Sequence, residues 1–551
     1  MTHVVTQACC GDASCVFACP VNAIHPTPDE PDFGLAEMLY IDPVSCVDCG
    51  ACVTACPVGA IAPADRLTPE QLPFVDVNAL FHAGPRSYPP QAPVTPLVRK
   101  HAPGVLRVAV VGAGPAALYA ADELLKRPRV EVTVIERLPT PHGLVRSGVA
   151  PDHPATRTVD GLFRQIEDQP GFTYVLGVDV GRDVSHAELT AHHHAVVYAT
   201  GASKDRTLGI PGEDLPGSTT ATAFVAWYNG HPDHVDDSFD LSGERAVVVG
   251  NGNVALDVAR MLTTDPEALA GTDIADHALD ALRTSNVREV VLLGRRGAAE
   301  AAFTLPELIG LVERDDIDVV VEGADLDEAV DDPMVAQKLA VLRSAHERPA
   351  RPGTRRIVLR FATSPVELRG GERVRGVATR RNRAVGGGAF VPTDDRSVLS
   401  TGLVLRSIGY RGVPVPGVPF DPDAGTMPHV GGRVTGAPGT YAVGWIKRGP
   451  SGFIGTNKSC AQETVDRVLE DWNAGRLAEP SRTPRSMRAL VAARRPEAIG
   501  VRGWRAIDEQ ERRAGAERGR PRRKLVRIED LLRAAAPPVE PRRRLRDLVG
   551  R

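Results

Sequence analysis

Val105-Leu106-Arg107-Val108-Ala109-Val110-Val111-Gly112-Ala113-Gly114-Pro115-Ala116-Ala117 is an apolar strand run that breaks on a glycine turn and opens an Ala/Leu-rich helix. In Gly112-x-Gly114-x-x-Ala117 the missing side chains let backbone N–H groups at a helix start approach a pyrophosphate, where the helix dipole favours negative charge. A second strand, Val130 to Ile135, ends in Glu136, 24 residues after Gly112 and placed to accept hydrogen bonds from a ribose. Strand, turn, helix, strand and acid in that order indicate a dinucleotide-binding unit.

A second unit of the same design starts at Ala246-Val247-Val248-Val249 and continues as Gly250-Asn251-Gly252-Asn253-Val254-Ala255. Two such units imply two dinucleotides. The next strand, Val290 to Leu293, ends in Gly294-Arg295-Arg296 instead of an acid. An acid there would bind the free 2′-hydroxyl of NAD, whereas paired guanidinium groups match a 2′-phosphate, so the second nucleotide is read as NADP. Two further strand-to-glycine turns, Tyr198-Ala199-Thr200-Gly201 and Ser407-Ile408-Gly409-Tyr410, read as crossings between the two units. One domain is then inserted in the other: the first comprises residues 105–206 with 413–551, the second residues 207–412.

Eight of the nine cysteines lie in the first 56 residues. Cys46-x2-Cys49-x2-Cys52-x3-Cys56-Pro57 is the bacterial two-cluster ferredoxin run, in which three close thiolates hold one cluster and the fourth reaches the other. Cys9-x2-Asp12-x2-Cys15-x3-Cys19-Pro20 repeats it with Asp12 in the second position. A carboxylate is a poorer iron ligand than a thiolate, so that corner is expected to be labile. The reading gives Cys19, Cys46, Cys49 and Cys52 to a [4Fe-4S] cluster. Cys9, Cys15 and Cys56 go to a [3Fe-4S] cluster, or with Asp12 to an Asp-ligated [4Fe-4S] one. The register between Cys9 and Cys10 stays open. Structural zinc also suits Cys-x2-Cys pairs, but the triple spacing and both Cys-Pro endings point to iron. Residues 1–65 are read as this cluster domain and the proline-studded residues 66–104 as a semi-rigid linker.

The 551 residues are 42% hydrophobic, enough for about three packed domains, and no apolar run of 18 residues marks a membrane span. With no apolar signal segment at its start, the chain is expected to be cytoplasmic, where thiols stay reduced. The net charge of −4 hides an asymmetry: residues 1–65 hold eight acidic and no Lys or Arg residues, whereas residues 476–551 hold 22 basic and 10 acidic ones. The tail is read either as a basic docking face or as a solvated Arg-rich helix. No nucleic-acid motif accompanies it.

From about Gly104 onward the chain resembles adrenodoxin reductase-type ferredoxin-NADP reductases, in the glutathione reductase-like flavoprotein class. The resemblance rests on Gly143-Leu144-Val145-Arg146-Ser147-Gly148-Val149-Ala150-Pro151-Asp152-His153-Pro154, Gly250 to Arg260, Gly294-Arg295-Arg296-Gly297 and Gly444-Trp445-Ile446-Lys447-Arg448-Gly449-Pro450-Ser451-Gly452. With its head included, it is similar to the actinobacterial reductases that carry a seven-iron ferredoxin at the N-terminus. The implied fold is α/β: two Rossmann-like, glutathione reductase-type domains, the NADP domain inserted in the FAD domain, preceded by a small α+β ferredoxin-like domain.

The resemblance implies FAD contacts at Gly112, Ala113, Gly114, Pro115, Ala116, Glu136, Leu144, Val180, Trp445, Gly452, Phe453 and Ile454. It implies NADP contacts at Asn251, Gly252, Asn253, Val254, Arg295, Arg296, Glu307 and Gly452. The implied activity is that of a ferredoxin-NADP(+) oxidoreductase: hydride from NADPH to flavin N5, then single electrons to iron–sulphur clusters or ferredoxin. His153 and Asp257 are expected near the flavin ring, tuning its protonation. An external ferredoxin and a downstream monooxygenase are the expected partners, with no nucleic acid or membrane. An alternative is an electron-input subunit of a glutamate synthase-type assembly. A redox sensor on a retained reductase fold is a third reading, disfavoured by the intact arginine pair.

Overall fold

The computed structural model describes residues 2–84 and 104–536. Pro85 to Pro103 of the expected linker and Arg542-Arg543-Arg544 of the tail fall outside the described residues.

Two sheets organise the body. In the first, the order is His429–Val430, Arg433–Val434, Thr440–Ala442, Ala195–Tyr198, Leu106–Val111, Val130–Glu136 and Phe172–Leu176. Its five strands from Thr440–Ala442 onward are mutually parallel. The second runs Ser218–Thr220, Leu403–Arg406, Arg245–Val249, Glu289–Leu293, Arg355–Arg360 and Ile317–Glu322, every neighbour parallel. Helices cover both faces of such sheets, which is why their central strands read as unbroken Val and Leu runs. The second sheet lies wholly between two chain crossings, where Lys204–Asp205 and Tyr410–Arg411 pair antiparallel. Thr440–Ala442 returns the chain to the first sheet after the excursion.

The same steric device closes both nucleotide turns. Gly112 has φ +99 and Gly250 φ +122, and a Cβ there would stand 2.5 Å from the Ala199 carbonyl oxygen and 2.0 Å from that of Ser407. Each glycine thus abuts the crossing turn of the adjacent strand, and only a residue without Cβ fits.

A three-stranded antiparallel meander, Thr363–Gly370, Val374–Gly386 and Ala389–Ser400, interrupts the second domain before its Leu403–Arg406 strand. The head pairs His3–Val5 with Ile61–Pro63 and Ile24–His25 with Tyr40–Ile41. Its two cysteine runs fold alike. Helices Ser14–Ala18 and Ala51–Ala55 each start from a left-handed residue, Ala13 or Gly50, and each ends on the last cysteine of its run, Cys19 or Cys56.

The linker expected over 66–104 is corrected over its first part. Pro73–Phe81 is a helix with Phe74, Val77, Asn78 and Phe81 buried in the head. Pro69 and Pro73 stand at first helical positions, where a missing N–H costs nothing, so they start helices instead of breaking one. Asn78 Oδ1 accepts from Val5 N at 3.2 Å and Ile41 N at 2.9 Å, and its amide donates to Val5 O at 2.9 Å, tying both halves of the head together.

The described part of the basic tail packs on the body along one side, while Arg502, Arg505 and Arg513 of its Val501–Ala516 helix stay exposed. Helices Val501–Ala516 and Ile528–Ala535 pack on the first domain through Trp504, Ile507 and Leu531. The segment between them crosses to the second domain. Arg520 donates to Asp276 at 2.7 Å, Lys524 pairs with Asp273 at 3.2 Å, and Arg522 bonds Asp508 at 2.8 Å and Glu511 at 3.1 Å. Arg157 of the first domain meets the same Asp273 at 2.7 Å.

Burial opposes ionisation of Asp273, but Lys524, Arg157 and Arg522 outweigh it and hold its pKa at about 2. A depressed carboxylate stabilises the fold above its unfolded pKa of about 4 and loses that contribution as pH falls toward 2. Asp273→Asn is therefore expected to destabilise the protein by about 3 kcal/mol near neutral pH, since two buried cations lose their counter-charge. It should also flatten the fall in melting temperature between about pH 4 and 2. Melting curves across that range check both; equal slopes in variant and parent would exclude the assignment.

Candidate functional site

The cysteines separate into two donor sets. Cys19, Cys46, Cys49 and Cys52 line a small pocket with His3, Val21, Ala23, Ile24, Ile41, Val47 and Gly50, all residues of the head. Burial pushes the Cys52 thiol up to about 11, and the charges of Cys46, Cys19 and Cys49 act in the same direction. Mutual repulsion of close thiolates is what a cation at their centre would relieve, so the donors fit an iron–sulphur cluster.

The second set is Cys9, Cys15 and Cys56. The Cys9 thiol is raised to about 11 by burial first, with Cys56 and Asp12 adding to it. Cys15 is raised by burial and then by Cys9, Asp12 and Cys56. Cys10 is buried in the core of the first nucleotide domain; burial raises its thiol, and Asp12, Cys9 and Cys56 add to that. Asp12 stands beside this set, yet its carboxylate is engaged elsewhere. It accepts from Ser14 Oγ, from Ser14 N at 3.2 Å, and lies 3.5 Å from Lys458 Nζ, which also donates to Ser14 Oγ at 3.0 Å.

Lys458 belongs to the body, and the head is seated on both nucleotide domains. Gly455 N donates to Cys10 O at 2.7 Å, one residue after Ile454. A Cβ on Gly455 would stand 2.1 Å from Asp12 N and 2.2 Å from Gly11 C. Cys9, Cys56 and Ile454 pack on the same core of the first domain. On the second domain, Glu37 accepts from Leu305 N at 2.6 Å, at the start of helix Leu305–Val312, and lies 3.4 Å from the buried Lys338 ammonium. Leu305 and Ile309 are part of the head's own core.

Around the first turn, Glu136 accepts from Ala113 N at 3.0 Å and Leu138 N at 3.1 Å, and burial raises its pKa. The Gly143 backbone abuts Gly114, and Gly444 abuts Ala116, where added Cβ atoms would meet at 3.0 and 2.6 Å. Leu144 follows Gly143 with 48% of its surface exposed, unusual for a leucine beside such a core. Asn457 donates to Phe453 O at 3.2 Å and Ile454 O at 3.0 Å, fixing the Gly452–Ile454 backbone, and Trp445 Nε1 donates to Ser451 O at 3.1 Å. Val180 lies at the Glu136 end, on the turn that begins where Val178 N donates to Glu136 O at 2.9 Å. Pro115 starts the Pro115–Leu125 helix, leaving its orphan N–H groups to a phosphate. Cys460 is structural: its sulphur accepts from Gly444 N at 3.3 Å.

At the second turn, Gly252 precedes the helix Asn253–Thr263, which opens Asn253-Val254. Asn253 Oδ1 accepts from Thr304 N at 2.8 Å, and a Cβ on Gly294 would touch Asn251 Nδ2 at 2.8 Å. Arg295 and Arg296 are exposed at the neighbouring strand end, and neither guanidinium has a carboxylate partner among the described residues. The meander sets their backbone. Asn382 Nδ2 donates to Arg295 O at 2.7 Å, and Ala362 N donates to Arg296 O at 2.8 Å. Sequence reasoning missed this role, because a long antiparallel excursion in a parallel domain leaves no signal beyond its Gly386-Gly387-Gly388 turn.

His153, Asp257 and Glu307, drawn from three separate motifs, come together with ligand atoms within 4.8 Å of one another. Arg260, 3% exposed, supplies the positive charge among them. It donates to Asp257 at 2.6 Å, to His153 Nε2 at 2.7 Å and to Asp152 at 2.5 Å, and lies 4.0 Å from Glu307. Burial raises the Glu307 pKa, and Gln7 of the head donates to that carboxylate at 3.1 Å. Arg260 and Asp152 were visible only as members of matched motifs; Gln7 gave no signal.

Comparison with known proteins places these features together. Residues 106–293 match the pyridine nucleotide-disulphide oxidoreductase model and residues 8–60 the 4Fe-4S dicluster domain. The chain is 54% identical to a probable ferredoxin/ferredoxin–NADP reductase of Mycobacterium tuberculosis, across 100% of this chain and 98% of that protein. It is 41% identical to the mitochondrial NADPH:adrenodoxin oxidoreductase of Arabidopsis thaliana, over 78% of this chain and 95% of the relative. The structure of Mycobacterium tuberculosis FprA in complex with NADPH superposes with a TM-score of 0.75 at 47% identity, covering 78% of this chain and 99% of that one.

Proposed function

The chain belongs to the ferredoxin/ferredoxin-NADP reductase family, and we infer that it moves electrons between NADPH and iron–sulphur centres, one pair of which is built into its own head. When bound, FAD supplies the conversion between a two-electron hydride and single electrons. The remaining parts are the chain's own. Gly112 to Ala116 offer backbone N–H groups to the FAD pyrophosphate and Glu136 addresses its ribose. Leu144, Val180, Trp445 and Gly452 to Ile454 line the rest of that site. Asn251 to Val254 take the NADP pyrophosphate, Arg295 and Arg296 its 2′-phosphate, and Glu307 with Gly452 the reacting end. His153 and Asp257, set by Arg260, hold or move a proton beside the reacting rings.

One observation carries the reading: the Cys10–Asp12 loop between the inner ligands Cys9 and Cys15 sits on Gly455, directly after the Gly452–Ile454 segment, so the head meets the body at the expected flavin contact. The inner cluster is read as [3Fe-4S], supported by an Asp12 carboxylate occupied by Ser14 and Lys458. The outer is read as [4Fe-4S]. Full-length similarity to a probable ferredoxin/ferredoxin–NADP reductase favours this over the input-subunit alternative. External ferredoxin, a downstream monooxygenase and a cytoplasmic setting complete the proposal; the last is supported by seven ligand thiols that need a reducing compartment. No helix of the described residues is long and apolar enough to cross a membrane.

Anaerobic electron paramagnetic resonance, as purified and during NADPH titration, with FAD and iron quantified, tests it. A [3Fe-4S] signal that disappears as FAD bleaches is the expected result, and Asp12→Cys should replace it with a second [4Fe-4S] signal on reduction. FAD bleaching with both clusters left oxidised would refute internal transfer. In the same titration His153→Ala and Asp257→Asn should slow bleaching; unchanged rates would remove both residues from the proton step.

A further inference from the structure

Resting on that reading, we propose that the head is also a working part of the NADP site: Gln7 and Glu37 are positioning residues that set the Glu307 carboxylate for the hydride step. Glu307 stands in the first turn of the helix Leu305–Val312. Two groups from opposite sides hold that turn. From the second domain, Asn253 of the nucleotide turn accepts from Thr304 N at 2.8 Å. From the head, Glu37 accepts at 2.6 Å from Leu305 N, the first N–H of the helix, which has no acceptor within it. Thr304, the N-cap residue, makes no side-chain hydrogen bond into the helix, so the head supplies the cap that the local sequence does not. Glu37 also lies 3.4 Å from Lys338, whose ammonium donates to Phe303 O at 3.0 Å and so ties down the segment leading into the turn.

Gln7 fixes the carboxylate itself, its amide donating to Glu307 Oε2 at 3.1 Å. Gly310, one turn further along the helix, makes the approach possible: a Cβ there would stand 2.3 Å from Gln7 Oε1 and 2.4 Å from Nε2. A glycine inside a helix is less stable than an alanine, so this one has a packing reason, and the side chain it admits is Gln7. The other neighbours of the carboxylate belong to the body: His153 at 3.9 Å, Arg260 at 4.0 Å and Asp257. Leu305 and Ile309, on the same helix, are buried among the head's apolar residues and keep the two surfaces in register. The 2′-phosphate and pyrophosphate contacts are made elsewhere. Loosening Glu307 therefore costs alignment at the reacting end and leaves the binding of the nucleotide largely intact.

Two measurements on the full-length protein test this. In anaerobic stopped-flow bleaching of FAD at varied NADPH, Gln7→Leu, Gly310→Ala and Glu37→Ala should each lower the limiting rate on the order of tenfold and leave half-saturation within about twofold of the parent. Gly310→Ala displaces Gln7 without altering the head, so it keeps the test intact if Gln7→Leu disturbs the nearby Cys9. In a Glu307→Gln background the Gln7 and Glu37 changes should add nothing, because they act through that carboxylate. Without nucleotide, hydrogen exchange in the first turn of Leu305–Val312 should be at least about fivefold faster in Glu37→Ala than in the parent. Parent-like limiting rates in Gln7→Leu and Gly310→Ala, losses that fall on half-saturation alone or multiply with that of Glu307→Gln, or unchanged exchange would overturn the positioning role. A parent-like rate in Glu307→Gln itself, or a parent that NADPH does not bleach, would instead overturn the reading beneath it.

Discussion

In a Gly455→Ala variant, NADPH is expected to bleach the flavin as in the parent, while the iron–sulphur centres are reduced several-fold more slowly. The added Cβ would fall 2.1 Å from Asp12 N, 2.2 Å from Gly11 C and 2.4 Å from Asp12 Cα. All three are backbone atoms of a short loop that carries the inner ligands on either side, so no side chain can swing away. Relief requires the head to lift, and electron transfer between two centres slows exponentially as their separation grows. The hydrogen bond from Gly455 N to Cys10 O and the Lys458 contacts to Ser14 and Asp12 go with it. Gly161→Ala, where a Cβ meets nothing within 4 Å, is the matched control. Anaerobic stopped-flow absorbance, with cluster signals confirming an intact head, reads the result; parent-like cluster reduction would mean that the contact does not set the transfer distance.

Replacing both Arg295 and Arg296 by Ala should lower kcat/KM for NADPH by roughly two to four orders of magnitude and leave NADH nearly untouched. Hydrogen bonds to a charged group contribute about 1.5–3 kcal/mol each, and every 1.4 kcal/mol is tenfold. Both guanidinium groups are exposed, without carboxylate partners among the described residues, on a backbone pinned by Asn382 and Ala362. Because the 2′-phosphate is remote from the reacting atoms, the loss should fall on KM and leave kcat at saturation unchanged. Steady-state kinetics with both nucleotides decides it: equal losses for NADH and NADPH, or a loss in kcat, would assign the pair a different role.

What the sequence made legible was local. The cysteine spacings, both strand–glycine–helix turns, the two crossings and the arginine pair each lie within a dozen residues, and each has a steric or charge requirement that few residue types meet. What escaped it joins residues hundreds of positions apart. Gln7 reaches Glu307, Asp12 reaches Lys458, and Arg157 shares Asp273 with Lys524; polar residues carry no mark of such distant partners in the sequence. The helix Pro73–Phe81 was hidden for a different reason. Its prolines count as breakers in composition but stand at positions where proline starts a helix, and the hydrogen bonds that tie it to both halves of the head come from one asparagine that spacing rules do not flag. The tail misled similarly: a run of arginines reads as solvated until the acids that answer it, in another domain, are seen.

The head spans both nucleotide domains, held by Gly455 and Lys458 on one and by Leu305, Lys338 and Glu307 on the other. The inner ligand set is thus a resident of the reductase, not a visitor to it. Internal transfer becomes a first-order event, indifferent to how dilute the protein is, and no second carrier can compete for that berth while the head occupies it. Rivalry among outside acceptors is moved one cluster outward, so selection among them can change without disturbing the chemistry at the nucleotides.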